Sequence, residues 1–156
     1  MRRIGLSILV ALALPALAAA AEPSFAGNKA CKICHLKVHK SWAATLHAAA
    51  FSKLKAEEQK NAECVGCHTV GFGKPSGYTV AEANPELQNV GCEDCHGPGS
   101  DHIARMKKDK KAEPGMAKPT EATCTGCHNS KSPNFKGFNY KEALEKGIHE
   151  HAAAAK

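Results

Sequence analysis

The sequence predicts a small, mainly α protein in which short helices and long loops wrap a core that side chains alone cannot supply. Two observations carry this. From Glu22 onward only 18 of 135 residues are Leu, Ile, Val or Phe, a share low enough that an unassisted chain would stay unfolded. The pattern Cys-x-x-Cys-His also occurs four times, as CKICH from Cys31 to His35, CVGCH from Cys64 to His68, CEDCH from Cys92 to His96 and CTGCH from Cys124 to His128. All eight cysteines are used. This is the attachment signature of c-type haem: two thioethers hold the porphyrin, and the adjacent histidine turns under the ring as proximal iron ligand. Zinc ribbons also pair CxxC motifs but need no histidine after each second cysteine, and a thioredoxin-type pair belongs once in a βαβ context that is missing here. Four haems, each a large apolar disc, replace the absent side-chain core, so cofactor and fold are expected to be inseparable.

The elements follow in order. Residues 1–21 read as a signal peptide: Arg2 and Arg3 lead an apolar stretch from Ile4 to Leu17, then small residues from Ala18 to Ala21. The stretch is too short and alanine-rich for a membrane span, and residues 22–156 form one tetrahaem domain. From Ala30 to Lys60 there is neither Gly nor Pro, which predicts helix, broken near Ser52. Gly and Pro recur between His68 and Cys92, so that stretch is mostly loop. After Gly97-Pro98-Gly99 a short helix starts near Ser100 or Asp101, either a good N-cap. Residues 112–122 are loop again, and a last helix from Asn139 carries a weak point at Gly147. Strands are scarce.

Charge argues against one class of partner. The full chain has net charge +6, and loss of Arg2 and Arg3 with the leader leaves +4. Each oxidised haem adds one positive iron charge and two propionates, so the holoprotein sits near zero. The lysines are scattered and no nucleic-acid motif is present, so nucleic acid is not expected.

Five histidines lie outside the motifs. His47 comes twelve residues after His35, about 18 Å along a continuous helix, too far for both to bind one iron. As a ligand it would serve a different haem and staple two together. His39 lies one turn from His35 on the same face, which suits packing or a propionate hydrogen bond. His102 follows His96 through the Gly-Pro-Gly turn, which leads the chain away from that ring. His149 and His151 close the chain.

The stretches CKICHLKVHKSWAATLHAAA, ECVGCHTVGFGKPSGY, NVGCEDCHGPGSDH and CTGCHNSKSPNFKGFNY with GIH, in this order, resemble the cytochrome c-554 family of multihaem cytochromes from about Ala30 to His149. The resemblance implies a mainly helical fold with haems stacked in close pairs. It implies that His102 is the distal ligand opposite His35, His47 opposite His128 and His149 opposite His96, and that the haem held by His68 is five-coordinate. Two departures stand out: His39 replaces a tyrosine often found there, and His151 competes with His149. Residues two apart on a helix point about 200° apart, so only one can face a given haem.

Two histidines fill an iron's coordination sphere, and such haems carry electrons. The leading reading is a periplasmic or otherwise exported electron-transfer cytochrome that relays electrons between redox partner proteins, without a transmembrane segment and without a separate catalytic set. One alternative is nitrogen-oxide chemistry at the His68 haem. Another is an oligomer, a subunit of an extracellular haem filament, in which His39 or the His149/His151 tail serves a neighbouring subunit.

Overall fold

The computed structural model describes residues 22–149, so the expected signal peptide and His151 lie outside the described residues. Among the described residues seven short α-helices order the chain: α1 (Asn28–Cys34), α2 (Leu36–Ala43), α3 (Ala62–Val65), α4 (Cys92–His96), α5 (Ser100–Lys108), α6 (Glu121–Thr125) and α7 (Tyr140–Lys146). Single 3₁₀ turns at His47–Ala49, Phe51–Lys53, Glu58–Lys60 and Pro85–Leu87 fill the gaps. Among the described residues there is no strand, and one isolated bridge pairs Thr69 with Gln88. The chain is mainly α, as the sequence predicts.

The helix expected from Ala30 to Lys60 is not continuous. It breaks at His35, where φ is −112° and ψ 46°, and again after Ala43, beyond which the backbone tightens into 3₁₀ turns. Helix propensity is a weak local preference, and with few apolar residues to bury along one face, packing does not hold a long rod straight. The break at His35 keeps hydrogen bonds on both sides, His35 N–H to Cys31 O at 3.0 Å and His39 N–H to His35 O at 2.8 Å. α5 starts at Ser100, as expected, but its capping residue differs from expectation. Gly99 is its N-cap and makes no side-chain cap bond, while Ser100 Oγ accepts from Ser24 N–H at 2.8 Å. The last helix ends at Gly147, whose φ of 66° suits glycine.

The side-chain core is small and off-centre. Phe51, Val65, Val70, Tyr78 and Leu87 form one buried cluster, with Phe25, Leu54 and Phe72 against it. This cluster orders the long loop after the second motif, where Val70 N–H donates to Leu87 O at 2.8 Å and Tyr78 N–H to Val70 O at 2.9 Å. At Gly77 a Cβ would collide with the backbone of Gly71, so only glycine lets the two loop strands approach this closely. Elsewhere apolar side chains lie bare: Ile33 and Leu46 are 81% and 80% exposed, and Leu36 and Leu144 are each 61% exposed.

Candidate functional site

Each Cys-x-x-Cys-His motif sits on or beside a helical turn, which brings its two thiols to one side one turn apart. Cys31 and Cys34 lie on α1, Cys64 on α3, Cys92 and Cys95 on α4 and Cys124 on α6, with Cys67 and Cys127 in the turns that follow. None of the eight is in a disulfide. The Cys31 thiol contacts that of Cys92, Cys127 contacts Cys67, and Cys95 feels the charge of Cys124. The four motifs therefore stand in one series in space: one, three, four, two.

Four of these thiols, Cys31, Cys95, Cys124 and Cys127, are held away from the thiolate that a nucleophile needs. Hydrogen bonding to Cys92, then burial, pushes the Cys31 thiol up. Burial lifts Cys95 to about 11 and Cys127 to about 12. Cys92 moves down, through its hydrogen bond with Cys31. A redox-active pair needs a stabilised thiolate instead. Among the described residues no three His, Cys, Asp or Glu side chains cluster closely enough to grip a metal ion between them, so the CxxC pairs do not converge as a zinc ribbon requires.

The histidines meet in twos. The rings of His35 and His102 have centres 5.9 Å apart with planes at 26°. Those of His47 and His128 are 5.9 Å apart at 81°, and those of His96 and His149 are 6.2 Å apart at 37°. An imidazole nitrogen binds a metal at about 2 Å with its ring centre about 1 Å further back, so two rings on opposite sides of one iron stand about 6 Å apart. All three pairs have that spacing.

The remaining ring nitrogens support the same use. His68 Nδ1 lies 2.6 Å from Ala50 O, His96 Nδ1 2.9 Å from Ala117 O and His102 Nδ1 3.0 Å from Pro114 O. A carbonyl only accepts, so in each ring Nδ1 carries the proton and Nε2 presents its lone pair, the tautomer that binds metal. Burial, then the neighbouring His128, lowers the pKa of His47 and favours its neutral, ligating form. The bare Ile33 and Leu36 flank His35, Leu46 precedes His47, and Leu144 lines a hollow with Ser41, Thr45 and His149. Apolar surface thus lies open beside the paired histidines, where an apolar macrocycle would cover it. The residues present fit haem.

His68 differs from the rest. Among the described residues no second histidine ring stands against it. His39 packs its ring on Trp42, with centres 5.1 Å apart, and burial followed by the charge of Lys32 lowers its pKa. His149, offered in the sequence as a ligand for a neighbouring subunit, already faces His96 of its own chain.

Sequence reasoning missed the supporting contacts. The acceptors Ala50, Pro114 and Ala117 use backbone carbonyls, which leave no trace in side-chain identity. Phe138 stacks on His128 at 4.7 Å and 20°, and Trp42 Nε1–H donates to Val90 O at 3.0 Å, worth about 1 kcal/mol net. An aromatic placed ten residues past a motif was the available signal for Phe138.

Comparison with known proteins points to one family of cytochromes. A family model described as cytochrome c554 and c-prime matches residues 30–97, which hold the first three motifs. Cytochrome c-554 of Nitrosomonas europaea is 34% identical over 154 residues, covering 80% of this chain. The chain spans 64% of that relative's length. The structure of reduced cytochrome c554 from the same organism matches with a TM-score of 0.66 at 29% identity, over 84% of this chain and 87% of that one.

Proposed function

The chain belongs to the cytochrome c-554 family, and from that premise we propose that it is a periplasmic or exported electron carrier in which residues 22–156, freed of the leader, hold four c-type haems. Cys31 and Cys34, Cys64 and Cys67, Cys92 and Cys95, and Cys124 and Cys127 are the attachment points. His35, His68, His96 and His128 are the proximal ligands. The observation that carries the reading is the set of three facing imidazole pairs, which supports His102, His47 and His149 as distal ligands opposite His35, His128 and His96. Bound haem iron supplies one-electron exchange. Held between His35 and His102, His47 and His128, and His96 and His149, three haems would have no position left for a substrate. Backbone carbonyls behind His96 and His102 fix ring orientation, which would hold these two histidines in place as ligands while bound haem exchanges electrons. The series of motifs supports relay between redox proteins that dock on different faces. No described helix is long and apolar enough to cross a membrane.

A second reading rests on His68. With no histidine ring opposite it among the described residues, the haem it holds would keep a coordination position open, suited to a small molecule such as a nitrogen oxide. Electron paramagnetic resonance of the oxidised protein should show one high-spin and three low-spin haems, with about one carbon monoxide bound per reduced molecule. Four low-spin signals with no carbon monoxide uptake would remove this second reading and point to His39, His151 or a neighbouring subunit as the missing ligand. The count itself is checked by intact mass: the holoprotein should exceed the processed chain by roughly 2.5 kDa and leave no thiol to alkylate. Fewer than four additions, or bound zinc, would overturn the cofactor assignment.

A further inference from the structure

We propose that Glu93, inside the third haem-attachment motif, is a positioning residue for the sixth ligand of the first haem. Glu93 is 2% exposed, and its carboxylate serves no proximal or distal role. One oxygen, Oε1, accepts from Ala26 N–H at 2.8 Å and from Gly99 N–H at 2.7 Å. The other, Oε2, accepts from Gly27 N–H at 2.8 Å. Gly27 is the N-cap residue of α1, which leads to Cys31, Cys34 and His35. Gly99 is the N-cap residue of α5, which carries His102 three residues on. One buried carboxylate therefore ties together the starts of the two helices whose histidines face each other at 5.9 Å.

Other contacts link these elements only in part. Asn28 Oδ1 accepts from Cys92 N–H at 3.1 Å, joining α1 to α4. Ser24 and Ser100 exchange two bonds, joining the leading segment to α5. Among the described residues only the Glu93 side chain holds the starts of both α1 and α5. Gly99 fits closely against it, since a Cβ there would stand 3.0 Å from Glu93 Oε1, while Gly27 has φ +81° and a Cβ on it would meet Glu86 instead. Three backbone N–H groups aim at two carboxylate oxygens in a dry place, where charge-assisted bonds are strong and an unpaired donor is costly. An amide in its place offers one acceptor and turns an NH₂ toward an N–H, which frees one of the two helix starts.

The inference rests on the reading of His102 as ligand to the first haem, and the test separates the two. Holoprotein carrying His102→Ala should lose one low-spin haem, leaving two low-spin and two high-spin ferric signals and raising carbon monoxide uptake from about one to about two sites. Unchanged signals there would overturn the ligand reading itself. Glu93→Gln should convert the same haem with His102 still present, and the double variant should match His102→Ala alone, because both act through one contact. If His102→Ala behaves as expected while Glu93→Gln keeps the parent spectrum, or adds a third high-spin haem in the double variant, the positioning role is wrong. Should Glu93→Gln give no holoprotein, Glu93→Asp serves: its shorter carboxylate cannot reach both helix starts, so a partial high-spin fraction at that haem is expected and a parent spectrum overturns the proposal.

Discussion

Expressed without haem attachment, the chain is expected to lose roughly half or more of its far-ultraviolet helical signal and to be cleared rapidly by protease at sites throughout residues 22–149, because here cofactor binding is folding. Among the described residues the buried apolar side chains are Trp42, Phe51, Val65, Val70, Tyr78 and Leu87, and five of these form a single cluster near the second motif. The first, third and fourth motifs have no comparable cluster. Ile33, Leu36, Leu46 and Leu144 stand in solvent beside the paired histidines. Covering each would contribute about 1.5 to 3 kcal/mol, and together they approach a domain's whole net stability of about 5 to 15 kcal/mol. The check is circular dichroism and limited proteolysis of the chain made with and without haem maturation. A cooperative thermal transition and full helicity in the haem-free chain would show that the polypeptide carries its own core after all.

Replacing His47 with Ala should turn one low-spin haem high-spin and place the change at the haem attached to Cys124 and Cys127. The ring of His47 faces His128, whose far side is backed by Phe138. The turn that carries it has independent anchors: Val90 N–H donates to His47 O at 3.1 Å, and Phe51 N–H donates to Asn89 Oδ1 at 2.9 Å. If His47 is the ligand proposed, truncation of the ring would empty a coordination position without releasing the backbone. Carbon monoxide uptake should rise from about one to about two sites per molecule, and added imidazole should restore the low-spin signal. In a His47→Ala, His102→Ala double variant the two losses should add, since the pairs are separate. A variant that keeps three low-spin haems, or whose loss merges with that of His102→Ala, would show that His47 does not serve this site.

The haem chemistry was legible in the sequence because covalent attachment is local. Two thiols and a histidine must fall within five residues, so Cys31 to His35 and its three counterparts declare themselves without any fold. The mainly α class was legible for a related reason: with few β-branched and aromatic residues, no stretch favours a strand. Distal pairing is different. His102, His47 and His149 gain meaning only from what stands opposite them, and spacing along the chain excluded some partners without choosing among the rest; the implied pairs came from family resemblance. Spacing even misled in one respect, since the helix from Ala30 to Lys60 that set His47 about 18 Å from His35 is in fact broken at His35 and after Ala43.

What the sequence alone determined is therefore the number of Cys-x-x-Cys-His motifs, the kind of cofactor they suit and the poverty of the side-chain core, all properties of residues close together or simply counted. Only the tertiary structure decided which histidine faces which, that Ala50, Pro114 and Ala117 carbonyls hold the ring tautomers, and that the motifs stand in the series one, three, four, two. The physical reason is that these are contacts between segments distant in sequence, many made by backbone groups that every residue possesses. Their pairing is fixed by the packing of the whole chain.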